Sequence, residues 1–523
     1  MEAVTATPPA TPKQTNSKGN ERTTLQKLGL PLALLALVII VMLPQPEGLP
    51  IAGQRMLGLL VFSVILWMTE GVSYPVSAGV ILAMMTLLLG FSPSIKDPTV
   101  HFTMTQSLQM GLTGLANGAW AMVAAALFLA AAMQMTGFDR RLALGIMTLV
   151  GTRSSRILIG VIGTGFVLSF FVPSTTARVA CIIPIIMGII QALKIDRRGP
   201  LAGLLLIACA QVDSIWNVGI KTAAAQNMVA VGFIRDLLGH EISWMEWFIA
   251  AAPFAALMSV TLYFVLLRLM PPEVDEIPGG EEAIRQELKK LGPMTGGEKR
   301  LMVIAVALLC FWVLEGKTWE MFGLSGDMAM KAIHPFDTAS ITIIAVSLLM
   351  LPGIGVMNWK EAQSKINWGT LFLFGVGISL GSAIISTKAG PWLAQNIVPA
   401  FGLTTSTPFM SLAVMALFLI IIHMGFASAT ALASALIPIV ISVLSEVAKV
   451  QDGINVIGMT MILQYVVSFG FILPANAPQN MIAYGTDTFT VSQFIKTGIP
   501  LTVIAYGGIL LMAATYWKWL GYV

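Results

Sequence analysis

Two stretches of this chain, about 250 residues apart, carry the same polar interruption inside otherwise apolar sequence. Ser174-Thr-Thr-Ala-Arg-Val-Ala-Cys-Ile-Ile-Pro184 reads against Ser428-Ala-Thr-Ala-Leu-Ala-Ser-Ala-Leu-Ile-Pro438. Further on, Ala225-Gln-Asn-Met-Val-Ala230 matches Pro478-Gln-Asn-Met-Ile-Ala483, and Gln211 and Gln464 fall into the same register. A duplicated half with paired breaks at matching places is the sequence mark of a membrane architecture whose binding site lies on a pseudo-symmetry axis.

The rest of the chain must then be able to live in a bilayer. It is 56% hydrophobic and 11% charged, with a mean hydropathy of +0.83, against about 25% charged residues in soluble domains. Apolar runs of spanning length occur near 28–43, 53–69, 75–91, 118–136, 201–236, 244–270, 299–315, 336–352, 368–386, 454–486 and 495–517. These give about eleven crossings and predict an all-α polytopic membrane protein. Lys13, Lys18, Arg22 and Lys27 precede the first run, which predicts a cytoplasmic N-terminus. Arg140, Arg141, Arg153, Arg156, Lys194, Arg197 and Arg198 fall on the same side, as does the linker 271–298 with Arg285, Lys289 and Lys290. An odd number of crossings leaves the C-terminus outside. A bacterial inner (plasma) membrane is the expected location.

Residues 1–27 read as a Thr- and Pro-rich disordered tail, with a short plastid transit remnant as the alternative. The first apolar run, within 28–52, is followed by Pro-Gln-Pro-Glu-Gly without a small-residue cleavage pattern, so it reads as a span and not a signal peptide. The first repeat occupies 53–270 and the second 299–523, separated by a linker whose Glu281–Leu291 stretch has the spacing of a solvated helix. Each copy holds five spans and one apolar hairpin, near 156–193 and 408–446. Five is odd, so the second copy is inverted relative to the first. Pro173-Ser-Thr-Thr176 marks one hairpin reversal and Ser428 the other. Non-helical backbone at membrane depth must be buried in protein or line a watery cavity, so the two tips are expected to meet near the midplane.

A second pair of breaks interrupts 201–236 and 454–486. Trp216-Asn-Val-Gly219 gives way to Lys221 and Thr222, and Pro474-Ala475-Asn476-Ala-Pro478 interrupts the other copy. Half-helices restarting after such breaks aim backbone N–H groups and a positive dipole end into the gap, which suits an anion. Ser174, Thr175 and Thr176 on one tip, and Ser428 and Thr430 on the other, offer hydroxyls for carboxylate oxygens; the plainer role is bonding their own helix backbone. Asn227 and Asn480 sit at the helix restarts. Arg178, Lys221 and His423 are ionisable groups at membrane depth, a costly placement that points to a binding role. In the plainer reading the two cations snorkel or pair with a carboxylate, Asp213 being the candidate partner for Lys221, although it lies roughly 80° off that face of a regular helix.

Catalysis finds no support. The sequence has no His-Glu-x-x-His pattern, cysteine pair or Gly-rich phosphate loop, and nothing calls for a metal, a cofactor or nucleic acid. Cys181, Cys209 and Cys310 are isolated in apolar segments and read as packing residues. Glu70 and Glu315 lie near span ends, where interfacial roles suffice.

At the paired tips the chain resembles the divalent anion/sodium symporter family, closest to its citrate/succinate antiporter and plastid 2-oxoglutarate/malate translocator branch. The resemblance runs over nearly the whole chain after residue 28. It implies a homodimer with a fixed scaffold and a hairpin-bearing part that moves like an elevator, and a small divalent organic anion as cargo. The family pattern at each tip is Ser-Asn-Thr; here Thr175 and Ala429 replace the asparagines that help ligate sodium. Arg178 and His423 lie close to where those ions would sit, and a fixed guanidinium can supply the charge that sodium brings.

The expected mechanism is exchange. A dianion near Arg178 and Lys221 cancels their charge, whereas the empty carrier would drag uncompensated charge through hydrocarbon. The alternatives are sodium-coupled symport of a dicarboxylate or sulfate, and, from another class, an anion-binding membrane sensor. Succinate, malate, 2-oxoglutarate, tartrate and citrate are not distinguished by the sequence.

Overall fold

The computed structural model of the chain describes residues 23–151, 153–192, 195–276, 280–315 and 336–523; most of the N-terminal tail lies outside the described residues. The described residues are helical, with no named strand among them. The first half runs α1 (Thr24–Met42), α2 (Ile51–Thr69), α3 (Tyr74–Gly90), α4 (Met104–Leu112), α5 (Gly118–Thr136), α6 (Phe138–Met147), α7 (Ser154–Phe171), α8 (Thr175–Ala192), α9 (Pro200–Gly219), α10 (Ala225–Leu238) and α11 (Trp244–Leu269). After α12 (Gly280–Lys290), the second half runs α13 (Gly296–Val313), α14 (Thr338–Met350), α15 (Trp359–Lys365), α16 (Trp368–Ser386), α17 (Ala389–Ala400), α18 (Pro408–His423), α19 (Ala429–Val447), α20 (Val456–Val467), α21 (Pro478–Tyr484), α22 (Val491–Ala514) and α23 (Tyr516–Trp519).

Nine of the described helices are long and apolar enough to cross a membrane. Two of them, α7 and α19, are arms of hairpins, while α9 and α20 each stop partway and restart as α10 and α21. Local chemistry accounts for the stops. In the first copy Ile220 takes an extended conformation after Gly219, a short 3-10 turn follows at Lys221–Ala223, and α10 starts after the extended Ala224. In the second, Pro474 opens a 3-10 turn over Pro474–Asn476, and Pro478 sits in the first turn of α21, a position where its missing N–H costs nothing.

The copies interlock. The restart α10 packs on α19 and α20 of the second copy, and α21 packs on α8 and α9 of the first. α9 is buried along its whole length, whereas α1 exposes Leu28, Leu32, Leu35, Val38, Ile39 and Met42, as a helix facing lipid does.

The linker helix is exposed along most of its length and docks by one side. α12 packs on α6 and α8 through the buried Ile284, and Glu287 pairs with Arg140 of α6 at 3.2 Å. Arg141 adds a 2.6 Å bond to Glu298 and bonds to the carbonyls of Leu291 and Gly292. One apolar anchor amid charge was too sparse a pattern to show this docking. Of the cysteines, Cys209 is buried and Cys181 half-buried, but Cys310 is exposed and so is not a core packing residue.

Candidate functional site

Each hairpin tip is capped by its own serine. Ser174 Oγ accepts from Ala177 N at 3.4 Å, and Ser428 Oγ accepts from Ala431 N at 3.2 Å. The plainer role for these hydroxyls is therefore filled. Ser174 and Thr176 hydroxyls lie 3.1 Å apart, and Thr175 Oγ1 donates to Asn217 Oδ1 at 3.0 Å, binding the first tip to the end of α9. Ala429 provides no such bond in the second copy, and Thr430 is buried.

Arg178 is the centre of the first half-site. Its side chain is 0% exposed, and all five of its N–H donors are used. Nε donates to Asp213 Oδ1 at 2.8 Å; Nη1 donates to the carbonyls of Val172 and Ala223 at 2.8 and 2.9 Å; Nη2 donates to the Asp213 carbonyl at 3.2 Å and Asn217 Oδ1 at 2.6 Å. One guanidinium thus ties the end of α7, the start of α8, the end of α9 and the turn after it. Asp213, also 0% exposed, is its carboxylate partner. This corrects the pairing of Asp213 with Lys221: one turn past the tip, Arg178 comes directly under α9, while the break at Ile220 turns Lys221 away.

Lys221 and Thr222 face a different set of groups. Lys221 Nζ donates to the Ile242 carbonyl at 2.6 Å and to Thr338 Oγ1 at 2.9 Å, with Glu315 Oε2 at 3.8 Å. Thr222 Oγ1 accepts from Trp244 Nε1 at 3.3 Å. Glu315 is not interfacial but buried, accepting from the backbone N–H groups of Thr338 and Trp244 and from the Thr338 hydroxyl. Both buried cations therefore have carboxylate partners, and the expectation of an uncompensated charge in the empty protein does not hold.

The second half-site solves the same problem differently. In the register that aligns Asn227 with Asn480, Asn476 stands where the first copy has Ala223 and Gly470 where it has Asn217. Asn476 Nδ2 donates to the carbonyls of His423, Met424 and Phe426 at 3.1, 3.2 and 3.4 Å, so an amide fastens the tip that Arg178 fastens in the first copy. His423 is 2% exposed and lies against Gly470; a Cβ added at that glycine would come 3.4 Å from its Nε2. The imidazole fills space that Asn217 takes in the other copy.

Asn227 and Asn480 act on backbone. Asn227 Nδ2 donates to the carbonyls of Asn217, Ile220 and Lys221 at 2.6, 3.1 and 3.4 Å, and Asn480 Nδ2 to those of Gly470 and Leu473 at 2.7 and 3.4 Å. Each closes carbonyls that its own break leaves open. Ala475 and Pro478 are exposed, while Thr222, the counterpart of Ala475, is buried. The sequence signalled Gln226 and Gln479 only as repeated letters; Asn217, Ser214, Ser468 and Thr338 gave no signal that set them apart from ordinary polar residues in apolar helices.

Comparison with known proteins identifies the family. A family model described as "Sodium:sulfate symporter transmembrane region" matches residues 24–523. A "membrane protein" of Cupriavidus necator is 51% identical, over 95% of this chain and 93% of that one. The sodium-dependent dicarboxylate transporter SdcS of Staphylococcus saprophyticus is 25% identical, over 93% of this chain and 90% of its own; SdcS of Staphylococcus aureus is 25% identical over 94% and 91%. The YdaH transporter of Alcanivorax borkumensis shares the fold with a TM-score of 0.53 at 14% identity, covering 86% of this chain and 97% of that one. The match over the whole helical body, on a duplicated frame of hairpins and broken helices, makes this chain a secondary transporter of the divalent anion/sodium symporter family.

Proposed function

We propose that the protein exchanges small divalent organic anions, dicarboxylates or tricarboxylates, across a bacterial inner membrane without sodium. In this reading it works as a homodimer with a cytoplasmic N-terminus and an external C-terminus, its hairpins and broken helices moving as an elevator past a fixed scaffold. The names of the SdcS relatives support the dicarboxylate class. Those names also carry sodium dependence, and the reason for departing from it lies at one residue. The guanidinium of Arg178 is held by the carbonyls of Val172, Ala223 and Asp213, the Asn217 amide oxygen and the Asp213 carboxylate. Oxygens of this kind suit a hard cation, and here a side chain already occupies them.

The barrier to empty return has a different origin from the one first expected. With Arg178 and Lys221 each paired, the bare cations supply no penalty. The N-termini of α8, α10 and α19 do, because the anion answers their orphan N–H groups and dipoles. Burying several such groups without an acceptor costs about 1–3 kcal/mol each, so the loaded form is the one that crosses. Ser174, Thr175, Thr176, Ser428, Ala429 and Thr430 at the tips, with Ala475 at the second break, form the anion's surroundings. Arg178, Asn227, Asn476 and Asn480 position them, and His423 abuts the second tip.

Counterflow tests this. Labelled succinate, malate, 2-oxoglutarate, tartrate, citrate and sulfate are offered to proteoliposomes with and without internal dicarboxylate, in sodium and in choline buffer. Uptake that requires an internal anion and ignores sodium is expected. Sodium-driven uptake into empty vesicles would instead make the protein a symporter, and binding without flux a sensor.

A further inference from the structure

The two breaks, equivalent by sequence, are in opposite states. Ala475 of the second is exposed, while Thr222 of the first is buried beneath the Trp244 indole, which donates to it at 3.3 Å. Beside Thr222 lies a junction that, among the described residues, the first copy alone has. Lys221 Nζ reaches Thr338 Oγ1 at 2.9 Å and the Ile242 carbonyl at 2.6 Å, with Glu315 Oε2 at 3.8 Å. In the second copy Pro474 occupies the register that Lys221 holds in the first.

The junction joins two packing neighbourhoods. Lys221, Ile242 and Trp244 belong to the broken helix and the start of α11, which packs on α9 and α22; Glu315 and Thr338 border α13 and α14, which pack on each other and on α5, and the two groups also touch directly through α10 on α5 and α11 on α13. Glu315 accepts from Thr338 N at 2.6 Å and Trp244 N at 3.1 Å, so one carboxylate meets the first N–H of a helix in each neighbourhood. A buried pair is costly to take apart, and separating the neighbourhoods must take this one apart.

The geometry points to a conformational latch: Lys221, Glu315 and Thr338 lock the first break shut while the second is open, and release of this junction is a required step of the transport cycle. The latch rests on the elevator exchange reading above. Its partners are internal, so it sets which face the site opens to and not which anion binds.

Cysteine reporters test it, in nanodiscs, with Cys181, Cys209 and Cys310 replaced by alanine. Thr222→Cys is expected to resist a hydrophilic maleimide and Ala475→Cys to react. Lys221→Met, which retains both Glu315 caps, and the milder Thr338→Val are expected to raise labelling at Thr222→Cys about tenfold and to lower it at Ala475→Cys, as a shift between two conformations requires. Increased labelling at Thr222→Cys with no fall at Ala475→Cys is local fraying and overturns the latch. Reporters that respond to succinate but ignore both substitutions overturn the latch and leave the carrier reading intact. Reporters that respond neither to the substitutions nor to any anion of the counterflow panel overturn both.

Discussion

Gln226 and Gln479 hold mirror-image positions and cross to opposite copies: Gln226 Nε2 donates to Ser468 Oγ at 3.4 Å, and Gln479 Nε2 to Ser214 Oγ at 3.0 Å. Each glutamine lies in the first turn of a restarting helix, and each serine lies near the end of the other copy's interrupted helix. The two halves are thereby stitched on both sides of the pseudo-axis, with Gln464 Nε2 to Asn227 Oδ1, at 3.5 Å, as a further crossing.

Because the two stitches are related by the duplication, their loss should be felt alike. Gln226→Ala and Gln479→Ala are each expected to lower stability by about 1 kcal/mol, the usual net worth of one hydrogen bond. Thermal unfolding in detergent checks this. A loss at one site several times that at the other would show that the crossings are not equivalent.

The Arg178–Asp213 pair is expected to matter to folding before it matters to transport. Arg178→Gln leaves a buried carboxylate without its partner, at a cost of about 3–5 kcal/mol. Adding Asp213→Asn removes that charge, and the double variant should recover much of the lost unfolding temperature. If Arg178→Gln is as stable as the parent, the five bonds are not what fastens the tip.

Emptying the oxygen cage should create a cation requirement. Arg178→Ala leaves the carbonyls of Val172 and Ala223, the Asn217 amide oxygen and the Asp213 carboxylate facing one another. Sodium chloride is expected to raise the unfolding temperature of this variant, and choline chloride is not, whereas the parent should show no difference between the salts. Equal responses in parent and variant would show that the guanidinium does not stand in for a cation.

The linker helix offers a pH handle outside the membrane. Hydrogen bonding from Lys290, with the nearby charges of Lys290 and Arg140, holds the Glu287 carboxyl below the ordinary glutamate value. A depressed carboxylate contributes stability that is complete above its unfolded pKa and lost as pH falls through the folded one. Docking of α12 should therefore be unchanged from pH 8 down to about 5 and loosen below about 4. Amide exchange over 280–290, corrected for intrinsic rates, reports it, and Glu287→Gln should weaken the acid step, leaving the part that belongs to the Arg141–Glu298 pair.

What was legible in the sequence was what repeats. The Ser-x-Thr tips, the Gln-Asn restarts and the apolar runs made the all-helical, duplicated frame readable, because hydrocarbon admits few ways to bury a backbone. Partnerships between side chains were not legible. Asp213 lies thirty-five residues from Arg178, and helical spacing along α9 says nothing about a neighbour brought in by a hairpin. Lys221 misled for a related reason: at a break, the next residue's direction is set by one extended peptide unit, and periodicity stops counting there. Glu315 looked peripheral because it sits at a helix end, yet two other helix ends converge on it.

A cation attached to the main chain has no dissociation constant. Where a diffusible ion would fasten the first tip, that half-site would come apart in dilute surroundings and reassemble in brine. On the proposed exchange mechanism, Arg178 makes its assembly indifferent to the composition of the water on either face, and the site would be ready in fresh water and salt water alike.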